Sequence, residues 1–173
     1  LYTINKKDKW ITNEFSRGRV HLMRATHDCI MTSSKTIIKD NPRLTCRIKG
    51  LNHRSPSRIL LDNKLKILIN SKIIKEANRH RTIIFYNKIN KKKIEFLRKF
   101  KIKTYKIPLD GSGNLDLKES LIKAKELGFS RIFVETGAKL TINFFNKRLI
   151  DDFKLFISSK SLGKNGSGNV KKH

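Results

Sequence analysis

Acidic side chains are scarce in this sequence. Fourteen Asp and Glu stand against 40 Lys and Arg, a formal net charge of +26, where a small soluble domain carries a magnitude of about 2–8. So large a deficit of negative charge implies anionic partners: nucleic acid, anionic lipid or phosphorylated metabolites. The lysines are spread along the whole chain, so compositional bias explains the same number without any function. Cysteine is scarce as well. Cys29 and Cys46 form no Cys-x-x-Cys pair, and no histidines stand at ligand spacing. Both lie in apolar, strand-like surroundings, which predicts buried free thiols and no metal site. Long apolar runs are missing too: none exceeds four residues, against the roughly 20 that a membrane-spanning helix needs. No basic-then-apolar leader opens the chain, which begins at Leu1, and the expected location is cytoplasmic.

What is present suits one domain with a real core: 173 residues, 38% of them hydrophobic. Trp10-Ile11-Thr12 leads into a helical pattern that Thr12 or Asn13 can cap. Ile11, Phe15, Gly18 and Leu22 fall on one face, and Arg17, His21 and Arg24 form a second, cationic stripe. That stripe reads as a solvated face, with a phosphate site as the alternative. Strands are expected at Cys29–Met31, Arg58–Asp62, Thr82–Tyr86, Lys103–Ile107, Arg131–Glu135 and Asp152–Ser158. Helices are expected at Lys35–Asp40, Ser71–Ala77, Lys91–Phe100, Leu115–Leu127 (with Gly128 as its stop) and Ala138–Arg148. Asp110-Gly-Ser-Gly-Asn is turn chemistry. The alternation predicts an α/β domain with a largely parallel sheet.

Two strand-to-helix turns have the form of ligand sites, since ligands sit beyond the carboxyl ends of strands in such sheets. One runs from Met31 through Thr32-Ser33-Ser34 into the helix to Asp40; the other is Val134-Glu135-Thr136-Gly137 before Ala138. Each offers unpaired helix-start amides suited to phosphate. Thr36 and Asp40 share a helix face. Pro42 ends that helix and favours an extended Asn41, and Leu44–Arg47 is expected to be extended beyond it. Arg47, just past the corner, reads either as a phosphate clamp or as a surface arginine.

The ordered set Lys9-Trp10-Ile11-Thr12, Arg24-Ala25, Thr32-Ser33-Ser34-Lys35-Thr36, Asp40-Asn41-Pro42-Arg43-Leu44-Thr45-Cys46-Arg47, Val134-Glu135-Thr136-Gly137 and Lys160-Ser161-Leu162-Gly163 resembles the reductase domain of the bifunctional riboflavin biosynthesis deaminase-reductase family. The resemblance runs from about Leu1 to Gly163. It implies a dihydrofolate-reductase-like, three-layer fold and NADPH-dependent reduction of 5-amino-6-(5-phosphoribosylamino)uracil to its ribitylamino counterpart. In that reaction the ribosylamine opens to an imine and a hydride reaches the sugar's first carbon.

Carried over by position, the resemblance implies cofactor contacts at Trp10, Thr36, Asp40, Asn63 and the turn Gly137, Ala138, Lys139, Leu140, Thr141, Ile142 and Asn143. It implies substrate contacts at Asp8, Arg24, Leu44, Arg47 and Glu135. Asp40 is the candidate catalytic residue, Arg24 and Arg47 would face the phosphate together, and Leu44 would contribute backbone. Asp8 stands where a serine is common. Ser33-Ser34-Lys35-Thr36 replaces the more usual Gly-x-Gly-Thr. A homodimer is also implied, with a zinc deaminase domain on the same intact polypeptide. That domain's motifs are absent here, and the chain reads as cut at both ends. The alternatives are a pterin or pyrimidine reductase of the same fold and, in a different class, a basic RNA-binding module. The latter lacks interleaved aromatics and any recognition motif.

Overall fold

The computed structural model describes residues 13–157. Five strands make one sheet: β1 (Cys29–Ser33), β2 (Ser57–Leu61), β3 (Thr82–Tyr86), β4 (Lys103–Lys106) and β5 (Ile132–Val134). Their order is β4-β3-β2-β1-β5 and every pairing is parallel. β1, β2 and β3 are short unbroken runs of mostly apolar residues, as strands covered on both faces must be. Registers Met31↔Ile59 and Ile59↔Ile83 put these three residues on one face. Their neighbours Ile30, Leu60 and Ile84 occupy the other.

Each face is covered by helices, which gives the three layers. Against Ile30, Leu60 and Ile84 pack Ile37 of α2 (Ser34–Asp40), Ile73 and Ile74 of α3 (Lys72–Lys75), and Leu97 of α4 (Lys91–Lys99). Against Met31, Ile59 and Phe85 pack Leu117 and Ala124 of α5 (Leu117–Glu126) and Phe144 of α6 (Ala138–Asn146). α1 (Glu14–Thr26) precedes the sheet and starts on Asn13, whose side chain accepts the Ser16 N–H at 2.9 Å. No helix among the described residues is long and apolar enough to cross a membrane. Cys29 and Cys46 are buried free thiols, as expected, and burial pushes the Cys29 thiol up to about 12. The Asp110–Asn114 turn is built as expected. Asp110 Oδ1 accepts the Ser112 and Asn114 amides, and Gly113 takes φ +72°.

Four expectations need correction. In α1, Phe15 and Leu22 face outward, while Arg17 and His21 are half-buried and Arg24 is buried. Ile11 lies outside the described residues. The cationic stripe, not the apolar one, faces the protein, because this helix lies against a polar segment (residues 45–47) rather than against the sheet core.

Asn41 is left-handed (φ 41°, ψ 49°) rather than extended. Its N–H closes α2 onto Ile37 O and its Oδ1 accepts the Lys72 N–H, both at 2.9 Å, which outweighs the pre-proline preference. Leu44 is also left-handed (φ 57°), so the 44–47 segment is kinked at its start; burying the Leu44 side chain beside Ile37 holds it there. Finally, residues 152–157 form no strand. β5 is an edge among the described residues, and a segment with no ladder to join keeps its backbone groups for water. Phe153 instead stacks edge-on against Phe145 at 4.9 Å. Ser158 lies outside the described residues.

Candidate functional site

The chain lays down β1 to β4 in one direction, then returns to place β5 on the opposite side of β1. α2 leaves β1 on one face of the sheet and α6 leaves β5 on the other. That is a topological switch point, where the two exits diverge and where ligands of such sheets sit beyond the carboxyl ends. Both turns singled out in the sequence lie there. At the first, Ser33 caps α2: its Oγ accepts the Thr36 N–H at 3.4 Å and lies 3.2 Å from the Thr36 hydroxyl. At the second, Glu135 N–H donates to Met31 O at 3.1 Å, which ties the β5 exit to β1.

α6 begins differently. Its N-cap is Gly137, which supplies no side-chain acceptor, and its first inward bond is Thr141 N–H to Gly137 O. The amides of Ala138, Lys139 and Leu140 therefore start the helix without a side-chain cap. Just before them, the Thr136 hydroxyl is buried without a partner. Uncapped amides, an orphaned hydroxyl and the Lys139 cation suit the anionic phosphates of a dinucleotide.

Beside this turn lies a polar knot built on α1. Arg24 donates from Nε to Glu135 Oε2 at 2.9 Å and from Nη2 to Glu135 Oε1 at 2.6 Å, a bidentate pair. Its Nη1 donates to Thr45 O at 3.0 Å. One turn earlier, His21 Nδ1 lies 3.1 Å from the same carbonyl and 3.2 Å from the Arg47 N–H. Burial, then Arg24 and Arg47, hold the His21 imidazole below its usual range. α1 thus fixes the backbone from Thr45 to Arg47 while the Arg47 side chain is exposed.

Of the sequence-predicted residues, Arg24, Glu135 and Arg47 converge on this knot. Three of the five Arg24 donors go to Glu135 and Thr45 O and its side chain is buried, whereas the Arg47 side chain is exposed. Thr36 and Asp40 lie on α2, Asp40 in its exposed last turn. Leu44 buries its side chain, as a backbone contributor would. Asn63 follows β2; its side-chain amide donates to Gly113 O and its carbonyl accepts from Asn87 and Lys88. Gly137 to Asn143 are the N-cap and most of α6. Asp8 and Trp10 lie outside the described residues.

Two contributors were not among the site residues named from the sequence. His21 was visible in the stripe three positions before Arg24, and that spacing is its sequence signal. Arg58 had none, being embedded in a strand pattern. Fully buried, it donates to Thr82 Oγ1 at 2.7 and 3.0 Å and to the carbonyls of Arg43, Ile73 and His80 at 3.1–3.2 Å. It anchors the Arg43 end of the segment whose far end carries Arg47.

Residues 1–172 match the RibD C-terminal domain family. The Aquifex aeolicus riboflavin biosynthesis protein RibD is 31% identical over 163 residues, 94% of this chain and 44% of that one. A Buchnera aphidicola (subsp. Acyrthosiphon pisum) protein named 5-amino-6-(5-phosphoribosylamino)uracil reductase is 28% identical, over 92% of this chain and 79% of its own length. A solved Thermotoga maritima deaminase/5-amino-6-(5-phosphoribosylamino)uracil reductase superposes with TM-score 0.62 at 26% identity, covering 84% of this chain and 37% of that one. The Saccharomyces cerevisiae riboflavin biosynthesis reductase shares the fold, with TM-score 0.66 at 21% identity over 90% of this chain and 68% of its own. The chain spans less than half the length of the RibD relatives it matches. With its parallel sheet between two helical layers, it has the dihydrofolate-reductase-like fold, and it belongs to the RibD C-terminal domain family.

Proposed function

We propose that this chain is the part of a riboflavin-biosynthesis polypeptide that reduces 5-amino-6-(5-phosphoribosylamino)uracil, with NADPH as the reductant. One observation carries the reading: an uncapped helix start with an orphaned hydroxyl (Thr136 to Leu140) directly follows a carboxylate, Glu135, held by Arg24 in the same polar knot that fixes the backbone of the exposed Arg47. Anionic phosphates on both reactants need such donors. NADPH would supply the hydride when bound.

The chain's own residues would divide the remaining work. Gly137 to Asn143, Thr36, Asn63 and Trp10 hold the cofactor, and Arg47 takes the substrate phosphate. Glu135, oriented by Arg24, accepts hydrogen bonds from the substrate, and Leu44 presents backbone. Asp8 borders the substrate, and Asp40 on α2 is the catalytic candidate. The intact polypeptide would include a deaminase domain and act as a cytoplasmic homodimer.

The test is a thermal-shift titration of the full polypeptide with NADPH, with NADH as control, followed by turnover on the phosphoribosylaminouracil. Stabilisation by NADPH and reduction of the substrate are the expected result. Turnover in Asp40→Asn and Arg47→Ala should fall by about 10². Parental activity in both variants would sink the residue assignment, and a polypeptide that neither binds nor oxidises NADPH would sink the function.

A further inference from the structure

We propose that His21 is a positioning residue for Arg47. In its neutral form it accepts the Arg47 backbone N–H through Nδ1 and so sets where the guanidinium meets a substrate phosphate; protonation of Nδ1 releases that grip. The inference deepens the reductase reading and rests on it for the substrate.

The geometry allows Nδ1 one of two roles. It lies between a donor, the Arg47 N–H at 3.2 Å, and an acceptor, the Thr45 carbonyl at 3.1 Å. An unprotonated Nδ1 accepts from Arg47; a protonated one donates to Thr45 O and leaves the Arg47 amide without its partner. Thr45 O does not need the histidine, because Arg24 Nη1 already donates to it at 3.0 Å. The Arg47 N–H has no such second partner in the knot, so the neutral tautomer protonated on Nε2 satisfies both the Arg47 amide and Thr45 O, and a ring protonated on Nδ1 does not.

The charges around the ring agree. Arg24 on the same helix and Arg47 on the facing segment both disfavour the imidazolium, as does burial. The Thr45 carbonyl and Glu135, past the end of β5, oppose them and are outweighed. Arg47 follows Cys46, whose own N–H donates to Ser55 Oγ at 3.1 Å, so the chain leading into Arg47 is held as well.

The experiment uses the full polypeptide and two substitutions. His21→Leu removes the acceptor. His21→Asn places Oδ1 near the position of Nδ1 and cannot titrate. Expected is a KM for the phosphorylated substrate about tenfold higher in His21→Leu at pH 8, with kcat changed by no more than about twofold. His21→Asn should keep the parental KM at pH 8 and show a smaller rise in KM than the parent on acidification to pH 5, the substrate phosphate titrating equally in both. Imidazole nitrogen shifts should show Nδ1 unprotonated at pH 8, with the Arg47 amide shift following the His21 titration. A parental KM in His21→Leu, a His21→Asn variant that tracks His21→Leu, or a protonated Nδ1 at pH 8 would overturn the proposal. If the polypeptide reduces no phosphoribosylaminouracil, the reductase reading falls, while the nitrogen and amide shifts still decide whether His21 holds Arg47.

Discussion

Arg24 and Arg58 are both buried arginines, and they solve the same problem in opposite ways. Arg58, on β2, has no carboxylate against it among the described residues; a threonine hydroxyl and three main-chain carbonyls accept its hydrogen bonds. Burial without an adjacent anion draws its pKa down to about 10, and only Glu76 pulls it upward. Glu76 is itself paired with Arg43 at 2.9 Å. Arg24 is met by both oxygens of Glu135, at a place where the carboxylate is still about 29% exposed. A guanidinium spent on carbonyls is a brace, because neutral main-chain partners have no other task. One spent on a part-exposed carboxylate orients a group that a ligand can still reach. The contrast separates scaffold from site more cleanly than burial does, since both side chains are buried.

The comparison breaks first at Arg58. Arg58→Met takes the guanidinium from the Arg43 and Ile73 carbonyls, leaves His80 O to the Thr82 hydroxyl alone and opens space in a fully buried site, and the expected loss is about 3–5 kcal/mol of unfolding free energy by denaturant titration. Arg24→Met should cost less stability, about 1–2 kcal/mol, because water reaches the abandoned carboxylate. Its turnover should nonetheless fall by about 10², because Glu135 is no longer oriented. Equal stability losses in the two variants would erase the distinction.

The smallest effect is on pH. Burial, followed by neighbouring arginines, lowers both His21 and His80. A histidine depressed in the folded state binds its proton more readily when unfolded. Its contribution is therefore complete above about pH 6.5 and is lost as pH falls through the lower folded value. Unfolding free energy should rise modestly from pH 5.5 to 7.5, and the combined His21→Asn and His80→Asn substitutions should flatten it. Asp28 and Asp110 are lowered by hydrogen bonds, from the Arg131 amide and the Lys147 side chain respectively, and act only below about pH 4, outside that window.

Much of the scaffold is legible from residue type. TIIFY at Thr82–Tyr86 is strand from end to end, because an unbroken β-branched and aromatic run suits a strand buried at every position. Gly128 at φ +89° after α5 is local chemistry and reads locally, whereas Ser33 takes up the Thr36 amide at the α2 start, expected to stay unpaired. The site is half legible. The spacing of Arg24, Arg47 and Glu135 carries a resemblance, but nothing local says that Arg24 pairs with Glu135, 111 positions later. The orientation of α1 failed for the same reason. Phe15 and Leu22 make the better apolar stripe, and a polar partner segment, invisible from the helix alone, turned them outward.

The strand order also has a kinetic side. β1–β2, β2–β3 and β3–β4 join residues about 20–28 positions apart, whereas Met31 meets Val134 about a hundred positions away. Closing that loop carries the largest entropic cost in the sheet, for a strand of only three residues. β5 is thus the segment expected to detach first in the native ensemble, leaving the four-strand remainder paired. Amide exchange should be faster at Ile132–Val134 than at Ile83–Phe85. Because Glu135 follows β5 directly, each such opening dismantles the Arg24 pair and the start of α6 together, and a ligand that spans both would slow that exchange.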